Sequence, residues 1–239
     1  GRRLIKYVNS FAEKNYNAKI VYGDSVTGDT PILCRLNGEV FYRTIDDLPS
    51  SGHWEYVEEK HHREPASGLE VWSDQGFVPL KNIIRHKTSK KLYQVSTPSG
   101  SVKVTEDHSL LDCCGQEVSG KEVDLGLYLL HNDLPSNNKL KLPKKLVFNT
   151  ALKAARAYWA YSSHGRSMRI QIQGDKYRLI PVSRLEIRGQ RVVQIKELEE
   201  TYDNVYALET ENHHYAAGVG RVVGHATERS RQEMDNAEK

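Results

Sequence analysis

Val205-Tyr-Ala-Leu-Glu-Thr-Glu-Asn-His-His-Tyr215, followed by Gly224-His-Ala-Thr227, is the stretch on which the reading of this chain turns. It puts two adjacent imidazoles, His213 and His214, in one loop and a third, His225, two residues before the hydroxyl of Thr227, with Ala226 between them. Two earlier stretches complement it. Ser25-Val-Thr-Gly-Asp-Thr-Pro31 begins with a hydroxyl, and Val104-Thr-Glu-Asp-His-Ser109 sets Thr105 and His108 three apart where a strand gives way to a turn.

Between these stretches the texture is β-rich. Ile32–Leu36 and Val40–Arg43 flank Asn37-Gly38, a hairpin signal because both residues tolerate positive φ. Leu92–Ser96 and Val102–Thr105 flank Pro98-Ser-Gly100, and Ile170–Gln173 and Tyr177–Ile180 flank Gly174-Asp175. Many short strands separated by turns predict a mainly β fold. One segment interrupts it. Leu134–Pro143 reads as a linker, and Ala151–Tyr161 as a helix capped by Asn149 or Thr150 and stopped by Gly165. Before Ser25, Leu4, Ile5, Val8, Phe11 and Ala12 recur at helical spacing and Ala18–Tyr22 reads as a strand. That fragment is too short to bury a core and reads as a piece of a larger protein.

The 239 residues carry 34 Lys and Arg against 31 Asp and Glu, a net charge of +3 that alone does not argue for nucleic acid. No stretch approaches the roughly 20 apolar residues of a membrane span, and the N-terminus lacks an apolar signal region. Cys113 and Cys114 are adjacent and Cys34 is left over, so a reducing compartment is expected. His61-His62, beside Glu58, Glu59 and Glu64, read as a solvated face rather than a metal site.

Chemically, Ser25 can attack the Asp24 carbonyl and turn an amide into an ester, but a neutral hydroxyl is a weak nucleophile and an amide a poor electrophile. Thr105 and His108 can hold the amide and protonate its leaving nitrogen; Thr227 can take the ester. These stretches resemble blocks A, B, F and G of class 1 inteins, in that order. Lys19-Ile-Val-Tyr-Gly-Asp24 resembles the strand entering the Tyr-Gly-Asp-Thr-Asp motif of family B DNA polymerases, into which inteins insert between the first Asp and the Thr. The resemblance implies the Hedgehog/intein (HINT) horseshoe, mainly β with a small helical insertion. It maps the block B threonine and histidine onto Thr105 and His108, the block F histidine onto His213 with His214 second, and the penultimate histidine onto His225. It implies an N–O acyl shift at Ser25, trans-esterification to Thr227, then asparagine cyclisation and ligation. Two positions depart from the pattern. The terminal asparagine is Ala226, whose methyl cannot cyclise, and the block F aspartate is Ala207. The chain therefore resembles a precursor arrested before excision.

The implied organisation is a polymerase flank over 1–24, splicing domain over 25–135 and 181–226, a degenerate insertion over 136–180 in place of a homing endonuclease, and a downstream flank over 227–239. The junctions fall at Asp24–Ser25 and Ala226–Thr227. Its substrate would be its own flanks. No cofactor, metal or small-molecule ligand is expected, and DNA contact would come only through the whole host polymerase. A soluble monomer, cytoplasmic or nuclear with its host, is implied. Val123–Leu127, in the strand pattern after block B, is a faint echo of an endonuclease motif, and DNA cleavage is not expected. A nucleic-acid-binding polymerase fragment is the first alternative, disfavoured because Tyr22-Gly-Asp24 lacks a second acidic motif for two-metal chemistry. A Hedgehog-type autoprocessing module that never ligates is the second, and His225 and Thr227 argue against it.

Overall fold

The computed structural model describes residues 25–57, 59–183 and 190–226. The readings made for the first 24 residues, including Asp24, and for Thr227 onward lie outside these. Among the described residues the fold is β throughout except for one α-helix and two 3₁₀ turns.

The two strands that open and close this segment are short, and neighbours hold each of them. Val26–Thr27 lies antiparallel between Gly100–Thr105 and Val205–Thr210. Val223–His225 lies antiparallel between Ser109–Leu111 and His214–Ala216. Glu106–His108 links the first neighbour of each, and Glu211–His213 links the second. The same two segments therefore grip both ends.

The first of these grips belongs to a long curled sheet. It runs from Gln194–Leu198 through Leu92–Thr97, Gly100–Thr105, Val26–Thr27 and Val205–Thr210 to Gly76–His86, Glu70–Ser73, Pro31–Leu36 and Glu39–Thr44. Burial follows position. All six residues of Val205–Thr210 are buried, as a central strand covered on both faces requires, whereas Met168–Gln173 alternates buried and exposed. The main core gathers Val26, Ile32, Ile83, Val104, Leu208, Tyr215 and Ala226, so both ends are packed into it.

The hairpins fall where the turn residues put them. Leu36 pairs with Glu39 across Asn37-Gly38, both at positive φ; Thr97 pairs with Gly100 and Gln173 with Lys176. The helix runs Ala151–Ser163, two residues beyond the predicted end. Thr150 Oγ1 accepts from the Lys153 amide at 3.3 Å, and the Arg166 amide closes onto Tyr161 O at 2.9 Å. Ala154, Ala155, Tyr158 and Trp159 bury one side against Leu33, Tyr42 and Val219. Leu134–Pro143 is irregular, as a linker should be, but it is pinned. Trp159 Nε1 donates to Pro135 O at 2.7 Å and Tyr161 Oη to Pro143 O at 2.8 Å.

Two readings are corrected. Lys60–Arg63 is a half-buried strand on Gly76–His86 rather than a solvated face, and His62 Nδ1 lies 2.8 Å from Asn82 Nδ2. Val123–Leu127 forms no strand; it turns at Leu125-Gly126, where the Gly126 amide donates to Val192 O at 2.9 Å and the Val192 amide to Leu127 O at 2.8 Å. Among the described residues, no helix is long and apolar enough to cross a membrane.

Val219–Gly220 pairs with Gly100–Thr105, and Gly218 makes the crossing with φ 89°, where a Cβ would sit 2.2 Å from Ser101 O. Gly38 has φ 80° but open space around its Cβ position. Gly38→Ala is expected to cost about 1–2 kcal/mol from backbone strain alone, and Gly218→Ala about 2 kcal/mol more from overpacking, measured as the difference between their urea unfolding free energies.

His131 bonds Thr97 Oγ1 at 2.9 Å through Nε2 and donates from Nδ1 to Leu129 O at 2.9 Å. Burial, with Arg221 adding to it, lowers its pKa from 6.5 to about 4. The unfolded chain therefore binds this proton more readily than the folded one. The stability tied to neutral His131 is complete above pH 6.5 and is lost as the pH falls towards about 4. Unfolding free energies between those pH values should fall by on the order of 3 kcal/mol more in the parent chain than in His131→Asn.

Candidate active site

Ser25 is fully buried where the first strand enters the sheet. Its carbonyl accepts from the Thr105 amide at 3.0 Å and from Thr105 Oγ1 at 3.2 Å. Thr105, the last residue of its strand, is thus a clamp on residue 25. Ser25 Oγ lies 2.9 Å from His86 Nε2. His86 Nδ1 lies 3.0 Å from Lys87 O, an atom that only accepts, so Nδ1 carries the ring proton. Nε2 then offers a lone pair, and the Ser25 hydroxyl donates to it. Burial is the largest effect on His86 and lowers its pKa, keeping the ring neutral.

The sheet register explains this contact. Val26 pairs with Tyr206, Ala207 with Ile84 and Val205 with His86. One step along, Ser25 faces Ala207. Partners in a row project to the same face, and so do residues two apart, so Ser25, Ala207 and His86 share one side of the sheet. A side chain at 207 stands beside Ser25, and the alanine brings only a methyl.

His108 is buried in the turn that leaves the Thr105 strand, with its amide on Thr105 O at 3.0 Å. Its Nε2 reaches the backbone of Gly224, 3.1 Å from where a Cβ on that glycine would sit. The imidazole therefore reaches from the turn after the strand that clamps Ser25 to the strand that ends at His225. Lys90 and Asp107 form an ion pair across the same turn.

At the other end, Ala226 is fully buried and its amide donates to His213 O at 2.7 Å. His213 adopts φ 59°, which turns its carbonyl onto that amide. The loop that presents it is tied down by side chains. The His214 amide donates to Asn212 Oδ1 at 3.2 Å, Asn212 Nδ2 donates to Ser73 Oγ at 3.1 Å, and His214 Nδ1 bonds Asp74 Oδ1 at 3.1 Å. His214 pairs with His225 across the strands, their ring centroids 6.0 Å apart. His225 Nε2 lies 3.7 Å from Glu117 Oε1.

Ser25, Thr105 and Ala207 are thus brought together at one end and His213, His214, His225 and Ala226 at the other, with His108 between. Thr227 and Asp24 lie outside the described residues. Among the described residues, no cluster of three or more His, Cys, Asp or Glu is placed to hold a metal ion. His86 and Asp74 carry no sequence signal. Each meets a residue far away in the chain, His86 through strand register and Asp74 from a hairpin turn packed against the His214 loop.

The geometry has solved counterparts. An intein from a hyperthermophile superposes with a TM-score of 0.51 at 18% identity, covering 84% of this chain and 99% of that one. The Pab PolII intein, solved in solution, gives 0.55 at 18% identity with the same coverage. The transcription factor IIB Mvu mini-intein gives 0.53 at 17% identity, over 85% and 99%. The fold is that of the inteins.

No family profile matches the chain. Among curated proteins, a DNA polymerase of Acanthamoeba polyphaga mimivirus is 37% identical over 150 residues, and one of Thermococcus litoralis is 31% identical over 115 residues. Those alignments take in 58% and 46% of this chain but 9% and 7% of the polymerases, so the chain spans under a tenth of either polymerase.

The loop that carries His213 depends on Asp74 as an acceptor from both His214 and Asn212. Asp74→Ala should lower the unfolding free energy by about 1–3 kcal/mol and reduce hydrogen-exchange protection of the Ala226 amide more than that of the Val104 amide, read by NMR.

Proposed function

We propose that this chain is a self-splicing precursor of a host DNA polymerase, held before completion by Ala226. The observation that carries this reading is the buried Ser25 hydroxyl bonded to a neutral imidazole, with its own carbonyl clamped by Thr105, at the entrance of an intein fold. Ser25 Oγ attacks the Asp24 carbonyl carbon, the C–N bond breaks, and the Ser25 nitrogen leaves as an amine. The Asp24 ester then passes to the Thr227 hydroxyl.

His108 acts at the upstream junction by polarising the amide. Its reach from that turn to the strand that ends at His225 supports a share in both halves of the reaction. His213 holds residue 226 through its carbonyl, and its ring assists branching or cyclisation. His225 polarises the carbonyl of residue 226. An asparagine at 226 would supply the amide nitrogen that closes on that carbonyl, and the alanine methyl leaves the last step without its nucleophile. The flanking segments are the substrate. Holding both ends in one unit replaces a bimolecular encounter, worth about 7–11 kcal/mol of barrier when the groups are well aligned.

The test is electrophoresis and intact mass on three variants. Ala226→Asn combined with Ala207→Asp should release a fragment of residues 25–226 and a product joining 1–24 to 227–239. Ala226→Asn alone should do so more slowly, and adding Ser25→Ala to the pair should abolish the ligated product. A folded double variant that releases neither piece would refute the splicing assignment.

A further inference from the structure

We propose that His86 is the general base of the acyl shift at Ser25, taking the hydroxyl proton on Nε2 and returning it to the Ser25 nitrogen as that nitrogen leaves. The proposal rests on the splicing reading and adds to it a residue outside the four motif stretches. Three observations carry it. Nε2 lies 2.9 Å from Ser25 Oγ, within the range for direct proton transfer. The Lys87 carbonyl on Nδ1 fixes the tautomer that leaves Nε2 unprotonated. Ala207, which faces Ser25 by register, offers no competing acceptor.

The proton count closes. The Oγ–H bond breaks and its proton moves to Nε2 as the Oγ–C bond to the Asp24 carbonyl forms. When the C–N bond breaks, the imidazolium gives that proton to the Ser25 nitrogen, which ends as a free amine. His86 is neutral at both ends of the step, so one imidazole serves both transfers between two atoms of the same residue.

The setting suits a base that works in its neutral form. Burial lowers the His86 pKa below 6.5. The charged groups facing it are Lys60 from the Lys60–Arg63 strand, Lys90 from the loop after it and Asp107 from the turn after Thr105. The two lysines add to the lowering. Asp107 opposes it, and its carboxylate is paired with Lys90. Since the base form is the unprotonated one, activity should rise as the pH passes upward through the lowered pKa and level off above about pH 6.5.

Hydroxylamine cleaves the ester and spares the amide, so it reads this step in the chain as it stands, without an asparagine at 226. The parent chain, His86→Gln, His86→Gly and Ser25→Ala are incubated with hydroxylamine from about pH 6 to about pH 9, and release of residues 1–24 is timed by mass spectrometry. His86→Gln should be slowed about 10²–10⁴-fold near neutral pH. The ratio of parent to variant rate should shrink as the pH rises, because hydroxide replaces the missing base; taking the ratio cancels the reagent's own titration. Added imidazole should speed His86→Gly, which decides the matter even where the glutamine variant melts early.

Parent cleavage with His86→Gln within about threefold of it would overturn the base assignment and leave splicing intact. A slowed variant with a ratio independent of pH and no rescue by imidazole would reduce His86 to a positioning residue, and so would also overturn it. No cleavage of the parent, with Ser25→Ala identical to it, would remove the splicing reading itself.

Discussion

The structure depends on one constraint: the strand after Ser25 and the strand before Ala226 are each held between the same two chain segments. Gly100–Thr105 and Ser109–Leu111 supply one wall of each grip, and Val205–Thr210 and His214–Ala216 the other. A strand as short as Val26–Thr27 has little stability of its own. It is fixed because its neighbours are anchored in the main core and because Thr105 ties down the carbonyl of the residue before it. Two short links, Glu106–His108 and Glu211–His213, join the walls, and the residues assigned roles at the junctions sit on or beside them.

Burial then sets the electrostatics. Ser25, Thr105, His108 and Ala226 are essentially without solvent exposure, so a hydrogen bond at this place competes with little water. The same desolvation that makes an unpaired polar group costly keeps a half-buried imidazole such as His86 neutral at ordinary pH. His131 shows the same physics in a structural role. It is bonded at both ring nitrogens, to Thr97 and Leu129, and costs stability when protonated. An imidazole's chemistry is thus decided by what its nitrogens face. Ala207 and Ala226 show the converse, two buried methyls that bring no polar atom to either end.

Much of this could be read along the chain, wherever the physics is local. Asn37-Gly38 and Gly174-Asp175 turn where they should because their own backbone preferences decide the turn. Thr150 caps the helix and the chain beyond it closes near Gly165 for equally local reasons. The linker reading of Leu134–Pro143 was right about the backbone, yet its anchoring by Trp159 and Tyr161 belongs to packing and left no mark in its composition. The His61-His62 pair misled because neighbouring glutamates suggest solvent, whereas the strand is recruited to the edge of Gly76–His86. His86 and Asp74 were invisible for the same reason.

The sequence alone determined the β character, the main hairpins, the helix and the four stretches whose order points to an intein. The first three follow from turn chemistry and side-chain period, which act over a few positions, and the last is a resemblance carried by the residues and order of those stretches. Tertiary structure alone decided that Ser25 meets an imidazole, that Ala207 stands beside it, that His108 reaches the strand that ends at His225, and that His213 presents a carbonyl rather than only a ring to residue 226. Those contacts depend on strand register between distant segments. A slip of one residue would turn every side chain to the opposite face, and no local pattern in the chain records which register the packed core selects.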